Sequence, residues 1–94
     1  MTKKELFENF DMTAREKTET AIECIRKAKT IKDAKWYTYE TVGELQGLYR
    51  GYTEAGELTG ICKCLDEEFF KGMWVYRNKI YEELAIFMVK KKKK

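Results

Sequence analysis

The chain has no histidine and no proline in its 94 residues, and only three cysteines. Without histidine it lacks the commonest general base and the commonest metal ligand. Without proline, nothing forces a break inside a long helix. Cys24, Cys62 and Cys64 form no even disulfide framework, so free thiols in a reducing cytoplasm are expected. The Cys62-Lys63-Cys64 pair falls short of the four ligands that a structural zinc site needs, and no metal or cofactor is expected. A catalytic cysteine would have no histidine to activate it. Long apolar runs are also missing. The longest, Leu84 to Val89, has six residues, where a membrane span needs roughly 18. Followed by lysines, that run hints at an interfacial anchor, but a buried helix end accounts for it better, and no membrane partner is expected.

What is present is 44% apolar, 14% aromatic and 37% charged, the profile of a folded domain with a well-solvated surface. Ninety-four residues allow one domain with one modest core. The net charge of +3 hides an asymmetry, because Lys90, Lys91, Lys92, Lys93 and Lys94 supply five charges. Residues 1–89 therefore form a mildly acidic helical domain, and residues 90–94 a basic tail. Such a run attracts phosphates without reading sequence, and it also complements a helix C-terminus.

Three threonines stand three residues before a glutamate: Thr2 before Glu5, Thr13 before Glu16 and Thr41 before Glu44. Each has capping-box spacing. The first predicts a short helix to about Phe10, broken at Asp11-Met12. The second opens a longer helix whose face includes Ala21, Cys24, Ile25, Ala28 and Ile31. The third starts a helix ending at Gly56, with Val42, Leu45, Leu48, Tyr49, Tyr52 and Ala55 as its apolar face. Between them, Trp36 to Val42 is aromatic and β-branched, which reads as a connector closing one end of a bundle. The alternative is a strand paired with residues 61–65.

Gly43, Gly47, Gly51 and Ala55 recur every four residues and so fall in one row of the predicted helix. Each interior glycine costs about 1 kcal/mol relative to alanine. A row of this kind suggests a helix-packing groove where another backbone approaches, with a frayed helix or a loop as the alternative.

The last third is the most regular. Apolar residues from Leu58 to Phe87 advance by three or four throughout, predicting a helix from about Ile61 to Val89. A break is expected near Asp66, where Asp66-Glu67-Glu68 resembles a helix start, and Gly72 could introduce a kink. Projected at about 100° per residue, the apolar arc from Phe69 to Met88 is about 160° wide. Phe69, Met73, Tyr76, Ile80 and Phe87 fill one edge. Phe70, Trp74, Tyr81 and Met88 fill the other, and Arg77 falls inside it. So wide an arc implies two contacts, one with the chain's own helices and one with a partner. Trp, Tyr and Arg are also the residues enriched at binding hot spots. Phe70, Trp74, Arg77 and Tyr81 are therefore the candidate partner-binding residues. The alternative for Arg77 is an internal salt bridge, for instance to Glu44 or Glu54.

The expected fold is all-α, a bundle of three to four helices with a long C-terminal helix; the alternative is α+β with a small sheet from 36–42 and 61–65. The expected function is non-enzymatic: a protein that self-associates as a homodimer or higher oligomer and occludes or scaffolds a partner protein. In its Lys-, Glu- and Tyr-rich composition the chain resembles short reading frames of phages and mobile elements, although no motif carries the likeness, and the resemblance suggests an inhibitor of a host enzyme. The alternative is a nucleic-acid or nucleotide binder using the lysine tail, Arg77 and the aromatics Trp36 and Tyr37. Against it, the body is mildly acidic and shows no basic recognition face.

Overall fold

A computed structural model describes residues 1–92. Three helices account for nearly all of them: α1 (Lys3–Lys27), α2 (Ile31–Leu58) and α3 (Glu67–Lys92). No strand occurs among the described residues, so the all-α expectation holds and the two-stranded alternative does not. The expected contacts of Lys93 and Lys94 lie outside the described residues.

Each helix starts where a side chain satisfies its orphaned N–H groups. Thr2 accepts from Glu5 N–H while the Glu5 carboxylate accepts from Thr2 N–H, a complete capping box. Thr30 accepts from Asp33 N–H at 3.1 Å. The Asp66 carboxylate accepts from Glu68 N–H at 2.9 Å, so the expected break at Asp66 is the true start of α3. The α2 C-terminus closes through Thr59 N–H to Ala55 O, followed by Gly60 at φ +72°. Glycine takes that left-handed conformation at no steric cost.

Several expected boundaries are corrected. The helix expected to carry Ile31 on its face ends at Lys27, and Ile31 begins α2. The break at Asp11-Met12 is absent, and α1 runs through it unbroken. Thr13 caps nothing; its hydroxyl donates to Asn9 O one turn earlier. The Trp36–Val42 segment is neither a connector nor a strand but lies inside α2, as does Thr41, which begins no helix. Residues 61–65 belong to the α2–α3 loop, and Gly72 sits within continuous α3.

The helices run up, down and up. Lys3 at the start of α1 meets Asp66 and Glu68 at the start of α3, and Arg26 near the end of α1 pairs with Glu83, well along α3. Between them lies one core. Phe10, Ile25, Leu45, Phe69 and Ile80 are wholly buried in it. Phe7, Phe10, Tyr52 and Phe69 interlock at one end, with ring centroids 5.3 to 6.1 Å apart. Three threonines are also buried: Thr18, Thr38 and Thr53. Each hydroxyl donates to the carbonyl four residues earlier, which satisfies it inside the core. The result is a rod of 53 × 16 × 16 Å.

Candidate functional site

The α3 arc divides into a buried and a partly exposed edge, with one departure from expectation: Phe87 is half-buried, and Leu84 takes the buried position at that end. Phe69, Met73, Tyr76, Ile80 and Leu84 are buried in the bundle. Phe70 and Trp74 each keep 40% of their surface exposed, and Tyr81 and Met88 are half-buried. This second edge borders α2, where Tyr49 meets Phe70 edge-on at 5.9 Å. Phe70 in turn packs against Trp74 at 5.5 Å.

Arg77 sits within that aromatic strip. Its guanidinium carbon lies 3.8 Å from the Trp74 ring centroid and 5.3 Å from that of Tyr81. At such distances the cation is held by the ring quadrupoles. The alternative, an internal salt bridge, is not formed: Glu44 pairs with Lys17 at 2.9 Å, and no described carboxylate pairs with Arg77. Arg77 Nε is buried without a hydrogen-bond partner, the one buried side-chain nitrogen or oxygen among the described residues in that state. An unsatisfied donor of this kind costs about 1–3 kcal/mol, more when charged. Phe70, Trp74, Arg77 and Tyr81 thus form one continuous strip in which a cation is sandwiched and incompletely satisfied.

The glycine row lies elsewhere. Gly43, Gly47, Gly51 and Ala55 are all exposed, and a methyl group added at any of the three glycines would meet nothing within 4 Å. Among the described residues no helix packs on the row. The close approach occurs instead at Gly56 and Gly72, where helical glycines face Cys62 and Leu6, and Phe7 and Phe10, respectively.

Trp36 is exposed and meets Tyr37 edge-on at 5.4 Å, near the start of α2. Lys90, Lys91 and Lys92 form the last turn of α3. Arg77 precedes Lys90 by thirteen residues, about 20 Å along a helix, so the tail and Arg77 do not form one compact site. Among the described residues no group of three or more Cys, Asp or Glu is placed to hold a metal ion.

One cluster had no signal in the sequence. Tyr76 OH donates to Asp11 at 2.7 Å, Arg15 Nη2 pairs with Asp11 at 2.7 Å, and Arg15 Nε donates to the Tyr76 oxygen at 3.5 Å. Burial pushes the Tyr76 hydroxyl above its usual range, with the bond to Asp11 adding to the shift and Arg15 opposing it. The phenol stays protonated and bridges α1 to α3. Its partners lie 61 and 65 residues away, a distance at which helical periodicity carries no information.

No family model matches this chain, and neither a curated protein nor a solved structure is significantly similar to it.

Proposed function

We propose that the protein is a non-enzymatic helical binding module. It self-associates through the Phe70–Trp74–Arg77–Tyr81 strip and acts by occluding or scaffolding a partner macromolecule. The observation that carries this reading is Arg77, stacked on Trp74 and Tyr81 with no carboxylate and a buried, unpartnered Nε. Within the single chain the ring contacts stabilise the cation but leave its buried Nε without an acceptor. A partner surface offering a carboxylate or carbonyl would complete it, within an aromatic surround of the kind found at hot spots. The three unpaired thiols suit the reducing cytoplasm that this reading assigns. Inhibition of an enzyme by steric occlusion is the mode of action it favours, since occlusion asks for a surface and no catalytic group.

The test is the mass in solution of the intact chain and of Arg77→Ala and Trp74→Ala. Each variant should weaken self-association by about 2 kcal/mol or more, roughly 30-fold, while helicity is kept. A monomeric wild type, or variants that only melt earlier with association unchanged, would overturn the reading.

A further inference from the structure

The fold gathers lysines that lie far apart in the sequence. Arg26 and Lys27 end α1, Lys29 lies in the turn, Lys32 and Lys35 begin α2, and Lys90 to Lys92 end α3. Lys91 Nζ donates to Lys29 O at 2.9 Å, which ties the end of α3 to the α1–α2 turn. Residues 22–38 and 83–92 thus build one end of the rod, with eight basic side chains and three acidic ones, Glu23, Asp33 and Glu83. The other described residues carry nine basic and thirteen acidic groups. The molecule therefore has a pole of +5 and a remainder of −4. The tail is one part of this positive surface: its three described lysines are joined by five basic side chains of the body.

Helix-terminal electrostatics explains only some of this. Cations at the ends of α1 and α3 complement the helix dipoles, but Lys32 and Lys35 sit in the opening turns of α2, where positive charge is unfavourable. Glu83 pairs with Arg26 and Glu23 with Lys27. Lys29, Lys32, Lys35, Lys90, Lys91 and Lys92 are left without a described carboxylate partner, on an end 16 Å across. Such crowding is self-repulsive unless an anion of similar charge density meets it. A nucleic-acid duplex has one phosphate charge per about 1.7 Å, so about nine over that width.

We infer that this basic pole is a sequence-independent binding surface for the phosphate backbone of a nucleic acid, separate from the α2/α3 strip. Lysine suits the task, being a point charge without the planar fork that reads base edges. An anionic membrane fits less well. The exposed aliphatic side chains near the pole, Ile86 and Val89, share their surface hollows with Glu82 and Glu83, so inserting them would carry carboxylates toward anionic lipid.

The experiment measures binding of the full chain to a 20-base-pair DNA duplex by fluorescence anisotropy between 50 and 200 mM salt. Six neutralised phosphates give a log–log slope of about −5, close to a thousandfold loss of affinity over that range. Lys29→Gln combined with Lys32→Gln should lower the slope by about two while helicity is unchanged. Deletion of residues 90–94 should weaken binding without abolishing it, and Lys4→Gln at the opposite end should leave the slope as it is. The inference fails if the wild type does not bind at 50 mM salt. It fails equally if the double variant binds as the wild type does while the truncation does not bind at all, because the tail alone would then be responsible. Binding to vesicles rich in anionic lipid, with none to the duplex, would assign the pole to a membrane surface instead.

Discussion

A methyl group at Gly56 would overlap Cys62 Sγ and press on Leu6 Cδ2, because the chain turns back over this point after α2. Ile61 and Cys62 both donate their N–H groups to Gly56 O, at 2.7 and 3.2 Å, so the loop cannot easily retreat. Gly56→Ala should therefore lose about 1 kcal/mol of stability despite the better helix propensity of alanine. Gly47 is the opposite case. Its surroundings are open, and Gly47→Ala should gain up to about 1 kcal/mol. Urea titrations of the two variants should shift in opposite directions; a Gly47→Ala variant that is destabilised would show that the row packs against something after all. Gly47→Leu adds a second readout, because a bulky side chain would lower the assembly mass only if another copy occupies the row. In the sequence the four-residue spacing singled out glycines that no described helix of this chain covers. It identifies a row but not the side of the helix that the row occupies, and here that side lies opposite Leu45 and Tyr49.

At the scale of the helices, the start of α3 is fastened to the start of α1. Lys3 Nζ lies 3.1 Å from Asp66 and 3.3 Å from Glu68, and the Asp66 side chain is only 10% exposed. Burial by itself would raise the Asp66 carboxyl, but the Lys3 hydrogen bond and backbone N–H donors outweigh it and hold the group below its ordinary value. A carboxyl lowered in the folded state binds fewer protons there than in the unfolded chain. Its stabilisation is full above the ordinary value of 3.8 and is lost as pH falls through the folded one. Lys3 is raised above 10.5, chiefly by its bonds to Asp66 and Glu68, so its share is full below that pH and lost as pH rises past it. Urea midpoints at pH 5 and pH 3 should differ less in Asp66→Asn than in the wild type, and Asp66→Ala should cost about 1 kcal/mol at neutral pH through the lost cap. The α3 start was legible because an acidic cap precedes an apolar repeat. The caps proposed at Thr13 and Thr41 failed because threonine serves equally well inside a helix, as the Thr13 bond to Asn9 O shows. The turn between α1 and α2 has neither glycine nor proline, so only Thr30 and Asp33 mark it. The two-edged arc of α3 could be read because its contacts follow from local periodicity. The Tyr76–Asp11–Arg15 bridge and the basic pole could not, since both depend on α1 and α3 running in the same direction.

Taken whole, the molecule is a rod with an excess of surface. Its accessible area is 6374 Å², against about 5,700 Å² expected for a compact protein of this mass. The radius of gyration is 15.2 Å, against about 12 Å for a compact domain of this length. The excess approaches the roughly 800 Å² per partner that a standard interface buries. The two surfaces on this rod predict different assemblies. The aromatic strip runs along its flank, so a dimer formed there sets two rods side by side with their centres about one rod width apart, and the radius of gyration rises only to about 17 Å. The basic pole is at one end, where a second copy would bring like charges together, so end-to-end pairing through it is disfavoured. A tip-to-tip assembly of any kind, with centres about one rod length apart, would have a radius near 30 Å. Small-angle scattering at a concentration where the measured mass has doubled separates these arrangements. A dimer near 17 Å that reverts to the monomer value in Arg77→Ala supports the flank. A dimer near 30 Å, unaffected by that substitution, removes the strip as the self-association surface and leaves Arg77 as a stacked residue of the single rod.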